Sequence, residues 1–137
     1  MGEKEEHNKE MVRKAIDAFN RQDLEAYWSC HTEDTTSHEV YFPEPLTKAE
    51  MSKFVPELWK AYPDWRIETK TMVAQGDMVA VENVMTATFL HDHGDIKATG
   101  KSFSVREGVF FQMKEGKIQH VRVYLDRRTQ DEQLGLA

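Results

Sequence analysis

Residues 101–126 read KSFSVREGVFFQMKEGKIQHVRVYLD, two runs rich in β-branched and aromatic residues hinged at Lys114-Glu115-Gly116-Lys117. A Glu-Gly pair between such runs is the signal of a two-residue hairpin. With Glu115 and Gly116 as the loop, Lys114 pairs with Lys117 and the register follows. Met113 then lies opposite Ile118, Phe111 opposite His120, Val109 opposite Arg122, Glu107 opposite Tyr124 and Val105 opposite Asp126. That face is apolar near the turn and ionisable at its far end, as expected of a pocket with its core at the bottom and its chemistry at the mouth.

Diagonal neighbours in a sheet lie roughly 7 Å apart, so Glu107 reaches both Arg122 and Asp126. Arg122 beside Glu107 holds that carboxylate ionised, which leaves Asp126 free to exchange protons. The competing reading makes Glu107 and Arg122 a structural pair and Asp126 the cap of a terminal helix. The opposite face carries Phe110, Val121, Val123 and Leu125 beside Arg106, Gln112 and Gln119. Four large apolar residues on one exposed face call for a cover. The expected cover is a second copy, a homodimer through the sheet face, with the segment ending Leu134-Gly135-Leu136 as the alternative.

Upstream of the hairpin the period of the pattern is 2 from Trp65 onward. Ile67, Thr69 and Thr71 lead to a Gly76-Asp77 turn and a β-rich run from Met78 to Leu90. Before Trp65 the period is 3.6. Val12, Ala15, Ile16 and Phe19 mark an amphipathic helix over 3–20, its first turn crowded with acids. Leu24, Tyr27 and Trp28 continue it as a short second helix capped by Asp23. Thr47 and Glu50 form a capping box ahead of Met51, Phe54, Val55, Leu58, Trp59 and Tyr62, and Pro63 ends that third helix. Helices followed by an antiparallel sheet define an α+β protein.

At 137 residues the chain is read as one domain spanning 1–137, with residues 1–8 polar enough to be disordered. Twenty-four acidic against 18 basic residues give a net charge of -6, and only Arg127 and Arg128 are adjacent, which argues against nucleic acid as a partner. A lone cysteine, Cys30, permits no internal disulfide, and no apolar run is long enough for a signal core or a membrane span. The expectation is a soluble cytoplasmic protein that engages no membrane. Cys30 reads as a packed thiol. His91-Asp92-His93-Gly94-Asp95 offers two histidines at strand spacing but no third ligand, so it is read as a polar loop and no metal is expected. No nucleophile elbow, phosphate-binding loop or dinucleotide fingerprint is present. Tyr27 and Trp59 lie on helix stripes and could line a cavity as well as fill the core.

The chain resembles the SnoaL-like polyketide cyclases, also grouped as ester cyclases, of the nuclear-transport-factor-2-like superfamily. The resemblance rests on Phe19-Asn20-Arg21-Gln22-Asp23-Leu24, Tyr62-Pro63-Asp64-Trp65, Gln75-Gly76-Asp77-Met78-Val79-Ala80-Val81, Ala98-Thr99-Gly100-Lys101, Glu115-Gly116-Lys117-Ile118 and Tyr124-Leu125-Asp126, in that order. It implies a cone-shaped, curved antiparallel (mixed) β-sheet wrapped around three N-terminal helices, a hydrophobic pocket, and frequent dimerisation. It also implies cofactor-independent acid/base chemistry by an aspartate at the end of the last strand, the position of Asp126. His38, in Ser37-His38-Glu39, falls where many relatives carry a histidine followed by an acid, and with Tyr124 it would orient a substrate oxygen. Ketosteroid isomerases share the implied fold but use a helix-one tyrosine, an aspartate base and a second, protonated aspartic acid where this chain has Ala15, Glu39 and Val109, so their chemistry is not expected here, although Glu39 could still abstract a proton.

Two departures stand out. Arg122 replaces a tryptophan common in relatives, and Glu107-Gly108 replaces a small residue followed by a bulky one. A charged pair in the pocket points to a polar or anionic substrate. The expected function is therefore a cyclase, isomerase or dehydratase acting on a small, partly apolar compound. The alternatives are a noncatalytic ligand-binding or dimerisation module and metal-assisted hydrolysis through His91 and His93.

Overall fold

Asp23 and Thr47 punctuate the helical half of the chain. The computed structural model describes residues 2–137, and Met1 lies outside the described residues. Helix α1 spans Glu3–Asn20 and α2 spans Leu24–Ser29, where the Asp23 side chain accepts a hydrogen bond from the Ala26 N–H. Strand β1 (His31–His38) and the two-residue β2 (Leu46–Thr47) precede α3 (Lys48–Ala61). Helix α3 opens with the expected reciprocal capping box between Thr47 and Glu50. Strands β3 (Arg66–Gln75), β4 (Met78–Thr88), β5 (Ser102–Lys114) and β6 (Lys117–Leu125) follow, and α4 (Arg127–Leu134) ends the fold. Residues 3–8, expected to be disordered, are helical: Lys4 pairs with Asp77 and the Glu5 carboxylate accepts the Gly76 N–H, tying this turn to the β3–β4 hairpin.

The six strands form one mixed, curled sheet in the order β2-β1-β6-β5-β4-β3, antiparallel throughout except where β1 runs parallel to β6. Strand β1 was not expected. Its sequence, His-Thr-Glu-Asp-Thr-Thr-Ser-His, holds no large apolar residue, and only the inward turn of the small groups Thr35 and Ser37 reveals the alternation. The concave face packs on α1, with Val12, Ala15, Val79, Val109, Phe111 and Ile118 in one buried cluster. A second cluster around Phe89, Phe103 and Tyr62 receives Leu134 from α4. Trp59 belongs to a third, between α3 and the first two helices, edge-on to Phe19 at 5.3 Å.

The last hairpin turns where expected, with Glu115 and Gly116 both at positive φ as its turn type requires. Its register is not the expected one. Met113 pairs with Ile118, but the next pair is Gln112 with His120, so Gln119 is an extra residue and a β-bulge. Every pair beyond it slips by one: Phe111 meets Val121, Val109 meets Val123 and Glu107 meets Leu125. A one-residue slip exchanges the two faces of a strand. Val121, Val123 and Leu125 therefore point inward, while Arg122 and Tyr124 point outward.

The physical reason is burial. Three aliphatic side chains moved out of water contribute about 1.5–3 kcal/mol each when fully covered, more than one unpaired bulge residue costs. Arg122 does not meet Glu107; its guanidinium lies over the Phe110 ring at 5.6 Å on the outer face. Of the four apolar residues expected there only Phe110 is present, edge-on to Tyr124 at 6.1 Å, so the homodimer expectation loses most of its basis. Stability distinguishes the two registers: Val121→Thr is expected to cost about 1–2 kcal/mol in urea unfolding by burying a hydroxyl, and Arg122→Ala less than about 0.5 kcal/mol.

Candidate functional site

The slip leaves one ionisable side chain of β5 facing inward. Glu107 is buried, at 6% exposure, among the side chains that line a cavity between α1, α3 and the sheet. The void is about 90 Å³, the space of one small ring. Its wall is largely apolar, built from Ile16, Phe19, Val55, Met85, Val109 and Val123 among others. Its polar groups are Glu107, Glu39, Asn83, Tyr27 and Tyr41, and no Lys, Arg or His lines it among the described residues.

Two carboxyls in one apolar hollow have predictable electrostatics. Burial pushes the Glu107 carboxyl up to about 7; the Asn83 N–H pulls the other way and the Glu39 charge adds to the rise. Glu39 is also raised, chiefly by burial, against the opposing pull of the Ser37 hydroxyl and of His38. Glu39 sits just past the end of β1, half-buried, and accepts a hydrogen bond from Ser37 Oγ. The Glu39 charge adds to the rise at Glu107, which favours the singly ionised pair with the proton on Glu107. The two titrate as a coupled pair.

A polar relay fixes Glu107. Thr69 Oγ1 donates to Asn83 Oδ1 at 2.8 Å, so the Asn83 amide presents its N–H to Glu107 Oε1 at 2.9 Å. Asn83 is itself 1% exposed, and β4 holds it directly beside Glu107 on β5. Replacing it by an isosteric apolar residue removes the side-chain donor that favours the charged form. Asn83→Leu is therefore expected to raise the Glu107 midpoint further above 7, read by carboxyl carbon NMR titration. Tyr27 and Tyr41 line the same hollow, and burial holds both hydroxyls well above the usual tyrosine range, so they remain neutral donors.

The other residues singled out in the sequence lie elsewhere. Asp126 is exposed and caps α4, accepting the Thr129 N–H at 3.0 Å and the Thr129 hydroxyl at 2.7 Å, which hold its carboxylate below the usual range. This is the alternative reading of Asp126, and it removes the residue from the cavity. His38 alternates outward from β1 and pairs with Arg122 across β6, while its neighbours Ser37 and Glu39 turn inward. Tyr124 is on the outer face at 56% exposure. Trp59 is buried core and does not line the cavity, whereas Tyr27 does. Asn83, Tyr41 and Trp65 line it without having been singled out.

The signal for Asn83 was an amide amid the apolar alternation of Val79, Val81 and Met85. His93 pairs with Ile96 in a short bridge and stands 6.3 Å from Phe54. Among the described residues no three His, Cys, Asp or Glu side chains are placed to hold a metal, and no helix is long and apolar enough to cross a membrane.

Solved structures share this architecture. The candidate SnoaL-like polyketide cyclase from Jannaschia sp. CCS1 superposes with a TM-score of 0.87 at 15% identity, covering 100% of this chain and 97% of its own. AclR, a candidate hydroxylase from Streptomyces galilaeus, gives 0.85 at 23% identity over 97% and 98% of the two chains. IdmH, a candidate polyketide cyclase from Streptomyces antibioticus, gives 0.80 at 21% over 93% and 98%. At these identities the likeness is one of fold. Comparison with curated proteins finds no match. The family model for the SnoaL-like polyketide cyclase domain matches residues 9–134, almost the whole chain, and the protein belongs to that family.

Proposed function

We propose that the protein is a small-molecule enzyme that moves a proton next to a carbonyl, without a cofactor, using Glu39 as the base and Glu107 as the acid. The observation that supports this is the pairing of two raised carboxyls in one apolar hollow that, among the described residues, no cationic side chain lines. A carboxylate base and a carboxylic acid side by side are what enolisation requires: one group takes the α-proton, the other donates a hydrogen bond or a proton to the developing enolate oxygen. Tyr27, a neutral donor, is available to the same oxygen. Desolvation strengthens each of these interactions.

The charge balance also selects the ligand. With Arg122 outside, an anion in the hollow would face two acids and no counter-charge, so the reacting portion is neutral and mostly apolar. Cyclisation, isomerisation and dehydration all pass through such an enolate, and the family membership is consistent with each of them. The test needs no natural substrate. The protein is expected to catalyse exchange of the α-protons of cyclohexanone in deuterated buffer, followed by proton NMR, above the buffer rate. Exchange no faster than in buffer, or exchange retained in Glu39→Gln, would sink this reading.

A further inference from the structure

The inner hollow is small for a metabolite. Its 90 Å³ falls well below the ~300–1,000 Å³ of typical ligand sites, so a larger molecule must extend beyond it. A second concavity of about 170 Å³ adjoins it, between α3, α4 and the loop that carries His93. The two share one wall: Tyr41, Phe54, Leu58 and Trp65 line both.

Phe54 and Leu58 belong to α3 and Trp65 leads directly into β3, whereas Tyr41 lies in the irregular segment 39–45 between β1 and β2, followed by Pro43 and Pro45. Its hydroxyl donates to Gln130 Oε1 of α4 at 2.9 Å, and the Arg127 guanidinium lies over its ring at 5.4 Å. Glu39 begins the same segment. The two concavities also differ in charge. Among the described residues no cation lines the inner one, whereas the outer one is lined by Arg127 together with Asp131 and His93. Arg127 Nε is ion-paired at 3.6 Å with Asp131, which lines the same groove, at a separation too long for a hydrogen bond.

We propose that the outer groove is the second half of the ligand site, taking the carboxylate tail of an elongated molecule whose ring occupies the inner hollow, with Arg127 as the anchor and Tyr41 as the movable partition between them. The proposal rests on the hollow being the reaction site. It explains why the acid-lined interior and the Arg127 guanidinium are separated by a shared wall in which the Tyr41 side chain is the hydrogen-bonded member, and it gives the ligand class as aryl or cycloalkyl acids with a flexible linker.

The probes are 4-phenylbutanoate, 4-phenylbutanamide and the shorter phenylacetate, titrated calorimetrically and followed by the Glu107 carboxyl carbon signal. A guanidinium–carboxylate contact at a partly exposed site predicts that the butanoate binds about fivefold or more tightly than the amide. That preference is expected to vanish in Arg127→Gln, and phenylacetate, too short to reach, is expected to ignore the substitution. Tyr41→Phe, which frees the ring from Gln130, is expected to speed association severalfold while leaving the preference for the acid intact.

Equal affinities for acid and amide, or a preference that survives Arg127→Gln, would overturn the outer site while leaving the inner one standing, provided both probes shift Glu107. If neither probe binds or shifts Glu107, the inner reading fails and this one fails with it. Association rates unchanged by Tyr41→Phe would show that the partition does not move at Tyr41.

Discussion

Glu107→Gln is expected to make the protein more stable, by about 2–3 kcal/mol at pH 8. Folding carries this carboxyl from its ordinary 4.5 to about 7. Below 4.5 both folded and unfolded chains hold the proton and the residue has no pH-dependent effect. Between 4.5 and 7 the folded chain keeps the proton that the unfolded chain has lost, so stability falls as pH rises. Above 7 the loss is complete, and its size, about 3 kcal/mol, is the linkage value of the displacement. A glutamine of the same shape still accepts the Asn83 N–H but never ionises. Its stability curve is therefore flatter across this range; the two proteins match near pH 4 and diverge by pH 8. Urea unfolding at the two pH values measures the gap. Parallel curves would mean that Glu107 is not desolvated, and the reading of the cavity would go with it.

The second large effect is on exchange. Glu39→Gln removes the base, and general acid–base catalysis of this kind is worth about 10²–10⁴ in rate. The pH profile separates the two carboxyls. In the wild-type protein exchange rises as Glu39 ionises and falls as Glu107 loses its proton through about 7. In Glu107→Gln, the amide cannot lose a proton to titration, so the falling limb is expected to disappear and the remaining rate to plateau. Asp126→Asn serves as the control: its carboxylate caps α4 in solvent and an asparagine oxygen caps a helix comparably, so the exchange rate is expected to stay within about twofold of wild type and the melting temperature to change little. A hundredfold loss in Asp126→Asn would instead restore the end of β6 as the reacting centre.

The first three helices, their caps, the β3–β4 hairpin and the Glu115-Gly116 turn were legible because each is a local matter of period, capping or φ. Strand β1 was not, because Thr35 and Ser37 alternate with polar residues of similar size and only pairing with β6 makes them a strand. The candidate site failed at a single count. A regular ladder from the turn put Arg122, Tyr124 and Asp126 on the face of Glu107, and the bulge at Gln119 removed all three. The signal was present: Ile118 to Val121 is an odd step, followed by the even steps Val123 and Leu125, so no unbroken alternation can bury all four. Glu107, Glu39 and Tyr27 line the cavity because their inward direction does not depend on that register.

The extra residue at position 119 also governs what evolution or an engineer can do to this ribbon. Because the lining of the chamber is set by parity, a deletion between Ile118 and Val121 would change its chemistry more than most substitutions within it could. It would expel the aliphatic row and admit a guanidinium and a phenol, giving the acid-lined chamber a counter-charge with the rest of the chain untouched. Length variation at this bend is thus a switch of ligand charge, available in one step.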